Sequence, residues 1–530
     1  MPSTFRLKTL VVAITLTAAG AAFAATPAGA ANRTAVAHAT TLHAGDAVTG
    51  PMALNRSLHV VVSLQLRNEA QLQAFIAQPD HPNLTPSQFA AEYGPSEADV
   101  DAVSAWLRQN GFSNVTISAN RVLVSADGSA ATVQSAFRAN MVHVRTHDGR
   151  DAYANSTDVT VPASLHGVSG VMGLQTVHIP HPFRGKPGGG GGGGSIIGHN
   201  PTQFPSIYGG TSLPTAAGVT VGIVSNGDLT QTLSDLNSFT SQNGLAAVAT
   251  QIVNTNGTGT DTSGTPEWDL DSQDIVGMGG GQVGKIVFYD IPTLSNSNMV
   301  ADFNTAVGAN VAKVINVSLG ECETSAQKDG SAAAADAIFQ QADAQGQTFS
   351  VSSGDSGSNE CGKGPRGNTP SWPASSPYVV AVGGTTLNAT TTTWQGETVW
   401  SGTGGSPSTF EPIPSWQVGV GQNAGSSYRG VPDIAFDADP NSGSIIIVNG
   451  SSQQYGGTSL ASPLFVGFWA RMIAAKGTGI GFASPKLYAL PASAFHDVVS
   501  GSNGGETAAP GWDYCTGFGS IIMSQAAASL

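Results

Sequence analysis

A succession of apolar, β-branched runs separated by helical stretches limits the fold of this sequence more than any other feature. The runs are Val219–Val224, Lys285–Tyr289, Ala312–Val317, Thr348–Ser352, Tyr378–Val382 and Ile445–Val448. Strands that are apolar without alternation are buried on both faces, as in a mainly parallel sheet with helices on both sides. We therefore expect an α/β fold. Functional residues in such folds gather at the carboxyl ends of the strands.

A glycine run, Gly188–Gly194, divides the 530-residue chain into two regions. Such a run is typical of a flexible, protease-accessible linker, and the length of the chain fits two domains. We expect a small α+β domain at 41–182, a linker at 183–199 and a second domain at 200–530. The first domain is predicted to contain a strand at His59–Leu64, a hairpin at Val115–Ser118 and Val122–Ser125, and helices at Ala70–Ile76, Asp99–Gln109 and Ala131–Phe137.

The first 30 residues have the pattern of a secretory signal. Arg6 and Lys8 precede the apolar run Leu10–Ala18, and small residues such as Ala28-Gly29-Ala30 follow. The run is too short for a membrane span, so we expect a secreted, extracellular protein. The net charge is −14, with nine basic and 24 acidic residues from residue 200 onward, which argues against nucleic acid as a partner.

Export permits disulfide bonds, and the chain has three cysteines. Cys322 and Cys361 each follow the apparent end of a strand, so we predict a bond between them. Cys515 is then unpaired and is expected to be buried and unreactive. None of the cysteine spacings matches a zinc site.

Ser459 is a candidate nucleophile in the sequence Gly457-Thr458-Ser459, with Pro463 four residues later. We expect it to open a helix that runs to about Ala475, where the positive end of the helix dipole acts on it. A plain Ser/Thr helix cap is the alternative interpretation. A serine hydroxyl needs an adjacent base, usually histidine. Only His496 lies beyond residue 199, which favours a carboxylate base and a hydrolase that works in acid.

Two carboxylates offer that base. Thr265 and Pro266 have the pattern of a helix cap and first position. Glu267 and Asp271, four residues apart, then share one helix face, and Asp274 lies on the same side. A solvated acidic face is the alternative.

In the catalytic interpretation Glu267 accepts the proton of Ser459, and Asp271 orients Glu267 and shares a proton with it. The two carboxyl groups then titrate as a pair. An unperturbed glutamate titrates near ~4.3, so such a base works where imidazole is already protonated.

Asp355 follows the predicted strand Thr348–Ser352, within Gly354-Asp355-Ser356-Gly357. We reject Ser356 as a trypsin-type nucleophile, because Ser358 replaces the second glycine of that motif and its histidine and aspartate elements are not recognisable. Instead, a protonated Asp355 is expected to donate a hydrogen bond to a tetrahedral intermediate, a role with precedent for a neutral carboxylic acid.

Two acidic loops near the carboxyl end suggest a cation site. Asp497-Val498 and Ala509-Pro510-Gly511-Trp512-Asp513 bracket a glycine-rich segment. Carboxylates and backbone carbonyls are hard ligands that suit Ca²⁺, although glycine-rich loops with aspartate also occur as plain turns. His496 is expected to be structural, because no histidine or cysteine accompanies it.

Together these elements resemble the sedolisin family of serine-carboxyl peptidases, in particular the kumamolisin and pseudomonalisin types. Leu84–Phe89 resembles the family's activation prodomain. The catalytic set of the family is matched, in order, by Glu267-x-x-x-Asp271, Ser353–Gly357 and Gly457-Thr458-Ser459. Its structural and calcium motifs are matched by Arg429–Asp433 and Pro510–Gly517.

The resemblance implies a subtilisin-like fold, preceded by an α+β (ferredoxin-like) prodomain, in which Glu267 replaces the subtilisin histidine. It implies a monomeric, secreted endopeptidase that acts in acid on proteins or peptides. It further implies a zymogen inhibited by its own prodomain, with its maturation site in the linker at 183–199. One structural Ca²⁺ is implied at Asp497, Val498, Ala509, Gly511 and Asp513. Leu319 stands where some members have tryptophan, so an extended hydrogen-bond relay is not implied.

Three alternatives stay open. A histidine-based subtilisin needs a His-Gly-Thr-His element, which this sequence lacks. A tripeptidyl-peptidase of the same family has the same motifs. A catalytically inactive secreted binding protein on the same fold is disfavoured by the intact set of Glu267, Asp271, Asp355 and Ser459.

Overall fold

The computed structural model describes residues 32–185, 197–362, 368–477 and 480–530. The predicted signal segment 1–30 and the glycine run of the predicted linker lie outside these residues. Within the described part of the chain, every helix is too short or too polar to cross a membrane.

The N-terminal domain is built on a four-stranded antiparallel sheet in the order 113–117, 123–129, 57–64, 168–172. Its strands are Arg33–Ala37, Ala47–Pro51, Ser57–Leu64, Ser113–Ile117, Leu123–Ser129, Met141–Arg145, Asp151–Asn155, Val159–Pro162 and Val168–Met172. Its helices are Glu69–Ile76, Pro86–Glu92, Glu97–Gln109 and Ala130–Phe137. Each predicted strand and helix of this domain is therefore present, with ends that differ by a few residues.

Both faces of this sheet are buried. Along the strand Ser57–Leu64, Val60 and Val62 belong to the domain's own core, whereas Val61 belongs to the core of the following domain. Successive strand residues point to opposite faces, so the second face of the sheet packs directly on the C-terminal domain. The uninterrupted apolar run in this strand reflects that double burial.

Polar contacts also join the two domains, some of them at helices 296–309 and 331–344. Asn120 donates to Asn304 at 2.6 Å and to Gln341 at 2.7 Å. The backbone N–H of Leu84 donates to the carbonyl of Ala344 at 2.8 Å. The N-terminal domain is thus held by buried apolar side chains and by amide hydrogen bonds at its rim.

The C-terminal domain contains the expected, mainly parallel sheet. The order is 250–254, 283–291, 216–226, 314–317, 348–352, 380–389, 394–399, and only the last pair is antiparallel. The strands of this sheet are Ala216–Asn226, Thr250–Asn254, Val283–Ile291, Val314–Val317, Thr348–Ser352, Val380–Ala389, Trp394–Val399 and Ile434–Asp437, the last paired with 380–389. Five of the six predicted runs lie in it.

The sixth run lies elsewhere. Ser444–Val448 forms an antiparallel hairpin with Ser451–Tyr455, outside the main sheet. The backbone of Ile447 bonds instead to the side chain of Gln273, which donates to its carbonyl at 2.7 Å and accepts from its N–H at 2.8 Å. A buried amide side chain thereby takes the place of a neighbouring strand.

Short strands and helices complete the domain. The remaining strands of this domain are Leu319–Cys322, Ser371–Trp372, Ser406–Pro412, Tyr428–Val431, Phe495–His496 and Ser520–Ile521. The first of them pairs with His181–Pro182, which precedes the domain. The helices are Phe204–Ile207, Thr230–Gln242, Thr265–Met278, Asn296–Ala309, Glu323–Asp329, Ser331–Ala344, Thr458–Lys476, Ala483–Ala489 and Met523–Ser529. The predicted disulfide joins Cys322 and Cys361, and Cys515 is free and buried.

Two adjacent helices position the predicted site. Thr265–Met278 begins after Gly264, so Thr265 is the first helical residue and does not cap the helix as predicted. Glu267, Asp271 and Asp274 are fully buried in it, which rules out the alternative of a solvated acidic face. The second helix, Thr458–Lys476, begins after Gly457 and ends at Gly477, close to the predicted bounds.

Several other carboxyl groups of this domain are also buried. Asp302, Glu321 and Asp437 accept hydrogen bonds from Thr255, Asn296 and Ser442, respectively, at 2.6 Å. Burial raises the pKa of each of the three well above its ordinary value. Each of these hydrogen bonds favours the ionised form and opposes the rise in pKa, but the effect of burial is larger.

Candidate active site

Ser459 is the second residue of its helix and is fully buried. Its Oγ donates to the carbonyl oxygen of Ser318 at 3.4 Å, and its backbone N–H donates to the carbonyl oxygen of Phe183 at 3.0 Å. Gly457 has φ +106° and lies so close to the Phe183 carbonyl and the Asp355 carboxyl that a Cβ would collide with both. Glycine is therefore required at the position where this helix begins.

Glu267 lies where the predicted base should be. Its Oε2 is 3.4 Å from Nη1 of Arg184. Burial raises the pKa of Glu267, and the Arg184 charge and the Ser459 hydroxyl oppose that rise. In the described structure Ser459 Oγ bonds to Ser318 rather than to Glu267 Oε1, which has no hydrogen-bond partner among the described residues.

Asp271 lies one turn further along the same helix. Its Oδ1 accepts from the hydroxyl of Ser318 at 2.7 Å, and that hydroxyl in turn accepts from Nδ2 of Asn316 at 2.9 Å. Burial and the neighbouring charge of Glu267 raise the pKa of Asp271 well above its ordinary value. The two carboxyl groups thus share a buried site, in which burial and their mutual repulsion favour the state with one proton on the pair.

The other acids of this helix lie apart from the pair. Asp274 accepts from the hydroxyl of Ser444 at 2.7 Å. Asp269 lies near Asp235, and burial together with that charge raises the pKa of Asp269 to about 9. The structure therefore brings Glu267 and Asp271 to Ser459, and it places Asp269 elsewhere, as the helical spacing predicts.

Asp355 is fixed against the start of the Ser459 helix. Its Oδ1 accepts from the backbone N–H and the hydroxyl of Thr458, at 2.8 and 2.9 Å. Burial raises the pKa of Asp355 to about 7, so it is protonated in acid. Because Oδ1 is occupied as an acceptor, Oδ2 is free to carry the proton, and Oδ2 and the Phe183 carbonyl both lie beside Gly457. Ser356, by contrast, is exposed.

The last described residues before the glycine run lie extended in the groove between residues 318–320 and 456–459, which we call the cleft. His181 and Pro182 pair antiparallel with Gly320 and Leu319. The N–H of Phe183 donates to the Ser318 carbonyl at 3.3 Å. The side chain of Phe183 is buried, and its ring lies where a Cβ on Gly320 would approach it to 2.5 Å.

The chain continues beyond the nucleophile in the same extended form. Gly185 and Gly456 exchange backbone hydrogen bonds of 3.0 and 2.9 Å. Nη2 of Arg184 donates to the Ser263 carbonyl at 3.0 Å. Residues 181–185, which we call the cleft segment, are therefore held on both sides of Ser459.

No sequence motif predicted a role for Ser318, Arg184 or Phe183. Ser318 follows the strand Val314–Val317, and its place at a strand end was the one available signal. Arg184 and Phe183 belong to no recognisable motif, because their positions depend on backbone hydrogen bonds that the segment makes with distant residues.

The two predicted cation loops lie together. Oδ2 of Asp497 accepts from the N–H of Gly511 at 2.9 Å, and Oδ2 of Asp513 accepts from the N–H of Ala509 at 2.8 Å. Among the described residues, no hydrogen-bond donor reaches the carbonyls of Val498, Ala509 or Gly511. Two carboxylates and three free carbonyls are a donor set that fits a hard divalent cation. The neighbouring His496 stacks on Trp394, with ring centres 3.8 Å apart.

One further group of ligand side chains lies in the N-terminal domain. His43, Asp46 and His147 present ligand atoms within 4.8 Å of one another. The Asp46 oxygens already accept from the backbone N–H groups of His43 and His147, each at 2.8 Å. This carboxylate thus has a structural role in closing its loop.

Comparisons with known proteins agree with this architecture. Residues 45–177 match the family described as Pro-kumamolisin, activation domain, and residues 222–487 match the Subtilase family. The structure is similar to Pseudomonas sedolisin, a serine-carboxyl proteinase solved in complex with two molecules of pseudo-iodotyrostatin. The TM-score is 0.61 at 49% identity, covering 63% of this chain and 98% of that one.

Curated relatives extend the similarity over both domains. Sedolisin from Pseudomonas sp. (strain 101) is 46% identical, covering 90% of this chain and 88% of its own length. Xanthomonalisin from Xanthomonas sp. (strain T-22) is 44% identical over 91% of this chain, which spans 66% of that relative. Kumamolisin from Bacillus sp. (strain MN-32) is 30% identical, covering 89% of this chain and 91% of its own length. The fold, with its activation domain before a subtilisin-like domain, and these identities place the chain in the sedolisin family of serine-carboxyl peptidases.

Proposed function

We propose that the protein is a secreted endopeptidase, made as a zymogen, that hydrolyses peptide bonds of proteins in acid. The observation that carries the proposal is that Glu267 and Asp271 are buried in helix Thr265–Met278, which packs against the helix that carries Ser459. Two buried carboxyl groups beside a serine at a helix start supply a base where histidine is absent. The alternatives are a tripeptidyl-peptidase with the same site and an inactive binding protein.

In the proposed acylation step, Ser459 Oγ attacks the carbonyl carbon of the substrate while Glu267 accepts its proton. Asp271 shares with Glu267 the one proton that the pair retains in acid, and it is itself oriented by the Ser318 hydroxyl. The proton then passes from Glu267 to the leaving amine, as general acid–base catalysis requires. Water hydrolyses the acyl-enzyme by the same sequence in reverse.

The negative charge of the tetrahedral intermediate falls between two donors. One is the backbone N–H of Ser459, which already donates to a carbonyl oxygen at 3.0 Å. The other is the protonated Asp355, held in place by Thr458. Preorganised donors of this kind account for a large part of catalysis, about 3–4 kcal/mol for a single donor.

Acid action follows from the protonation state of the same groups. Asp355 donates only while it is protonated, and its pKa of about 7 supplies that state in acid. The raised pKa values of Glu267 and Asp271 keep one proton on the pair over the same range. Activity should decline as Asp355 ionises towards neutral pH.

The N-terminal domain is proposed to act as the intramolecular inhibitor. The cleft segment fills the groove on both sides of Ser459 and thereby excludes other substrates until it is removed. The predicted maturation site in the linker at 183–199 is consistent with this arrangement. The signal segment 1–30 supports secretion.

A single Ca²⁺ is proposed at the two acidic loops. The carboxylates of Asp497 and Asp513 and the carbonyls of Val498, Ala509 and Gly511 would hold it. When bound, the ion supplies charge compensation that stabilises the loops, and no catalytic step depends on it. The buried Asp513, whose pKa burial raises, gains most from such a partner.

The test is to purify the zymogen and follow self-cleavage and hydrolysis of an internally quenched, N-terminally blocked peptide from acid to neutral pH. Ser459→Ala and Glu267→Gln should abolish both activities, while Ser356→Ala, at an exposed hydroxyl in the Asp355 turn, should leave them unchanged. Cleavage of only those peptides with a free N-terminus would support the tripeptidyl-peptidase instead. A wild-type protein inactive at every pH would refute the proposal.

A further inference from the structure

The cleft segment makes the backbone contacts of a substrate, and these contacts define a register. The N–H of Phe183 donates to the Ser318 carbonyl, and its C=O accepts from the N–H of Ser459, at 3.3 and 3.0 Å. Two residues earlier, His181 pairs with Gly320 as in an antiparallel strand. Two residues later, Gly185 exchanges hydrogen bonds with Gly456. The carbonyl that faces the nucleophile is therefore that of Phe183.

We propose that Phe183–Arg184 is the first peptide bond this peptidase cuts, within its own chain. The inference rests on the proposed function and adds the bond, the register and the intramolecular route. The Phe183 carbonyl oxygen already receives the N–H of Ser459, and it lies beside Gly457 together with Oδ2 of Asp355. These are the two donors assigned above to the oxyanion.

The side chains of the two residues fix the bond between them. The Phe183 ring is 1% exposed and occupies the space that Gly320 leaves by having no side chain. The Arg184 guanidinium is anchored on the other side by the Ser263 carbonyl and by Glu267. A shift by one residue would remove the ring from its pocket and the guanidinium from the buried base. The register is thus specified by side chains as well as by the backbone.

The reaction balances with the groups present and one water molecule. Ser459 Oγ bonds to the carbonyl carbon of Phe183 and gives its proton to Glu267. The C–N bond to Arg184 breaks as Glu267 returns that proton to the Arg184 nitrogen, which leaves Phe183 as an ester on Ser459. Water then hydrolyses the ester, and the products are a carboxylate at Phe183 and a new amino terminus at Arg184.

The experiment is a time course of intact masses after purified zymogen is shifted to acid. The earliest pair of products should be a fragment that ends at Phe183 and one that begins at Arg184. Because the bond is cut within the same molecule, the first-order rate constant should not change with protein concentration. Ser459→Ala should stay uncut.

Two variants test the register. Phe183→Ala empties the ring pocket, and Gly320→Ala places a methyl group against the ring, so each should slow the first cut by roughly 100-fold. Ile197→Ala, at an exposed position beyond the cleft segment, is the matched control and should cut at the wild-type rate. Circular dichroism of each variant checks that it has folded, and Phe183→Ala leaves the pocket walls unaltered if Gly320→Ala does not fold.

Each outcome decides between the two proposals. If the first cut depends on Ser459 but falls at another bond, or if its rate rises with protein concentration, the assigned register is wrong and the proposed function stands. If the wild type is never cut, or if Ser459→Ala is cut equally fast, the proposed function fails and the register fails with it.

Discussion

Replacing Ser318 by alanine should move the acidic limb of the pH–rate profile to higher pH. The Ser318 hydroxyl donates to Asp271 Oδ1 at 2.7 Å, and Oδ2 of Asp271 has no hydrogen-bond partner among the described residues. Ser318→Ala therefore removes the donor that best stabilises the ionised form of a fully buried carboxyl group. Such a loss raises the pKa of the group.

The magnitude follows from the strength of that bond. A hydrogen bond to a charged group contributes about 1.5–3 kcal/mol, and ~1.4 kcal/mol corresponds to one pKa unit. The Glu267–Asp271 pair should therefore hold its second proton to a pH about 1–2 units higher. At a pH below that limb, kcat/KM should fall by about 10- to 100-fold, because the pair must lose one proton before Glu267 can act as a base.

The assay is kcat/KM of the mature enzyme against a quenched peptide across the acid range. Ser356→Ala removes a nearby exposed hydroxyl that has no contact with the pair and serves as the control. Ser318→Thr keeps the hydroxyl and should restore most of the wild-type profile. An acidic limb that stays in place, or moves to lower pH, would show that Ser318 does not control the ionisation of the pair.

Three further predictions follow from single contacts. Asp433→Asn breaks the fully buried pair with Arg429, whose nitrogens lie 2.6 and 2.7 Å from the Asp433 oxygens, and should lower the free energy of unfolding by about 3–5 kcal/mol in urea titrations. Asp513→Asn should lower the melting temperature measured in calcium, and a chelator should then lower it no further. The control Asp261→Asn, at an exposed carboxylate, should keep the wild-type melting temperature and its decrease on chelation. Gly457→Ala should reduce kcat by roughly 100-fold because its Cβ meets Asp355; wild-type turnover would contradict the geometry of this turn.

Much of the fold could be predicted because the local sequence patterns agree with the burial of each segment in the folded protein. Five of the predicted runs belong to the eight-stranded central sheet, and most of their residues are buried on both faces. Ile445–Val448 has the same composition, but its backbone bonds to the side chain of Gln273. Periodicity does not distinguish a strand beside another strand from a strand beside a helix, so this placement could not be read from the sequence.

The candidate site divides in the same way. Glu267, Asp271, Asp355 and Ser459 could be chosen because each belongs to a short motif whose spacing has a chemical reason. Their roles stay predictions until the variants are measured. The cleft segment could not be foreseen, because its position is determined by backbone hydrogen bonds to residues more than 100 positions away.

Three buried carboxyl groups outside the candidate catalytic set extend the effect of pH from the proposed chemistry to the stability of the domain. Asp302, Glu321 and Asp437 bind a proton more tightly when folded than when unfolded. Their contribution to stability is full below the unfolded pKa of about 4 and declines as the pH rises above it, by ~1.4 kcal/mol per unit for each group that must ionise on unfolding. As the pH rises, the folded protein is therefore expected to lose stability over the range in which Asp355 is proposed to ionise. The fold and the proposed chemistry would then share one pH limit, so that an enzyme outside that range becomes unstable as well as inactive.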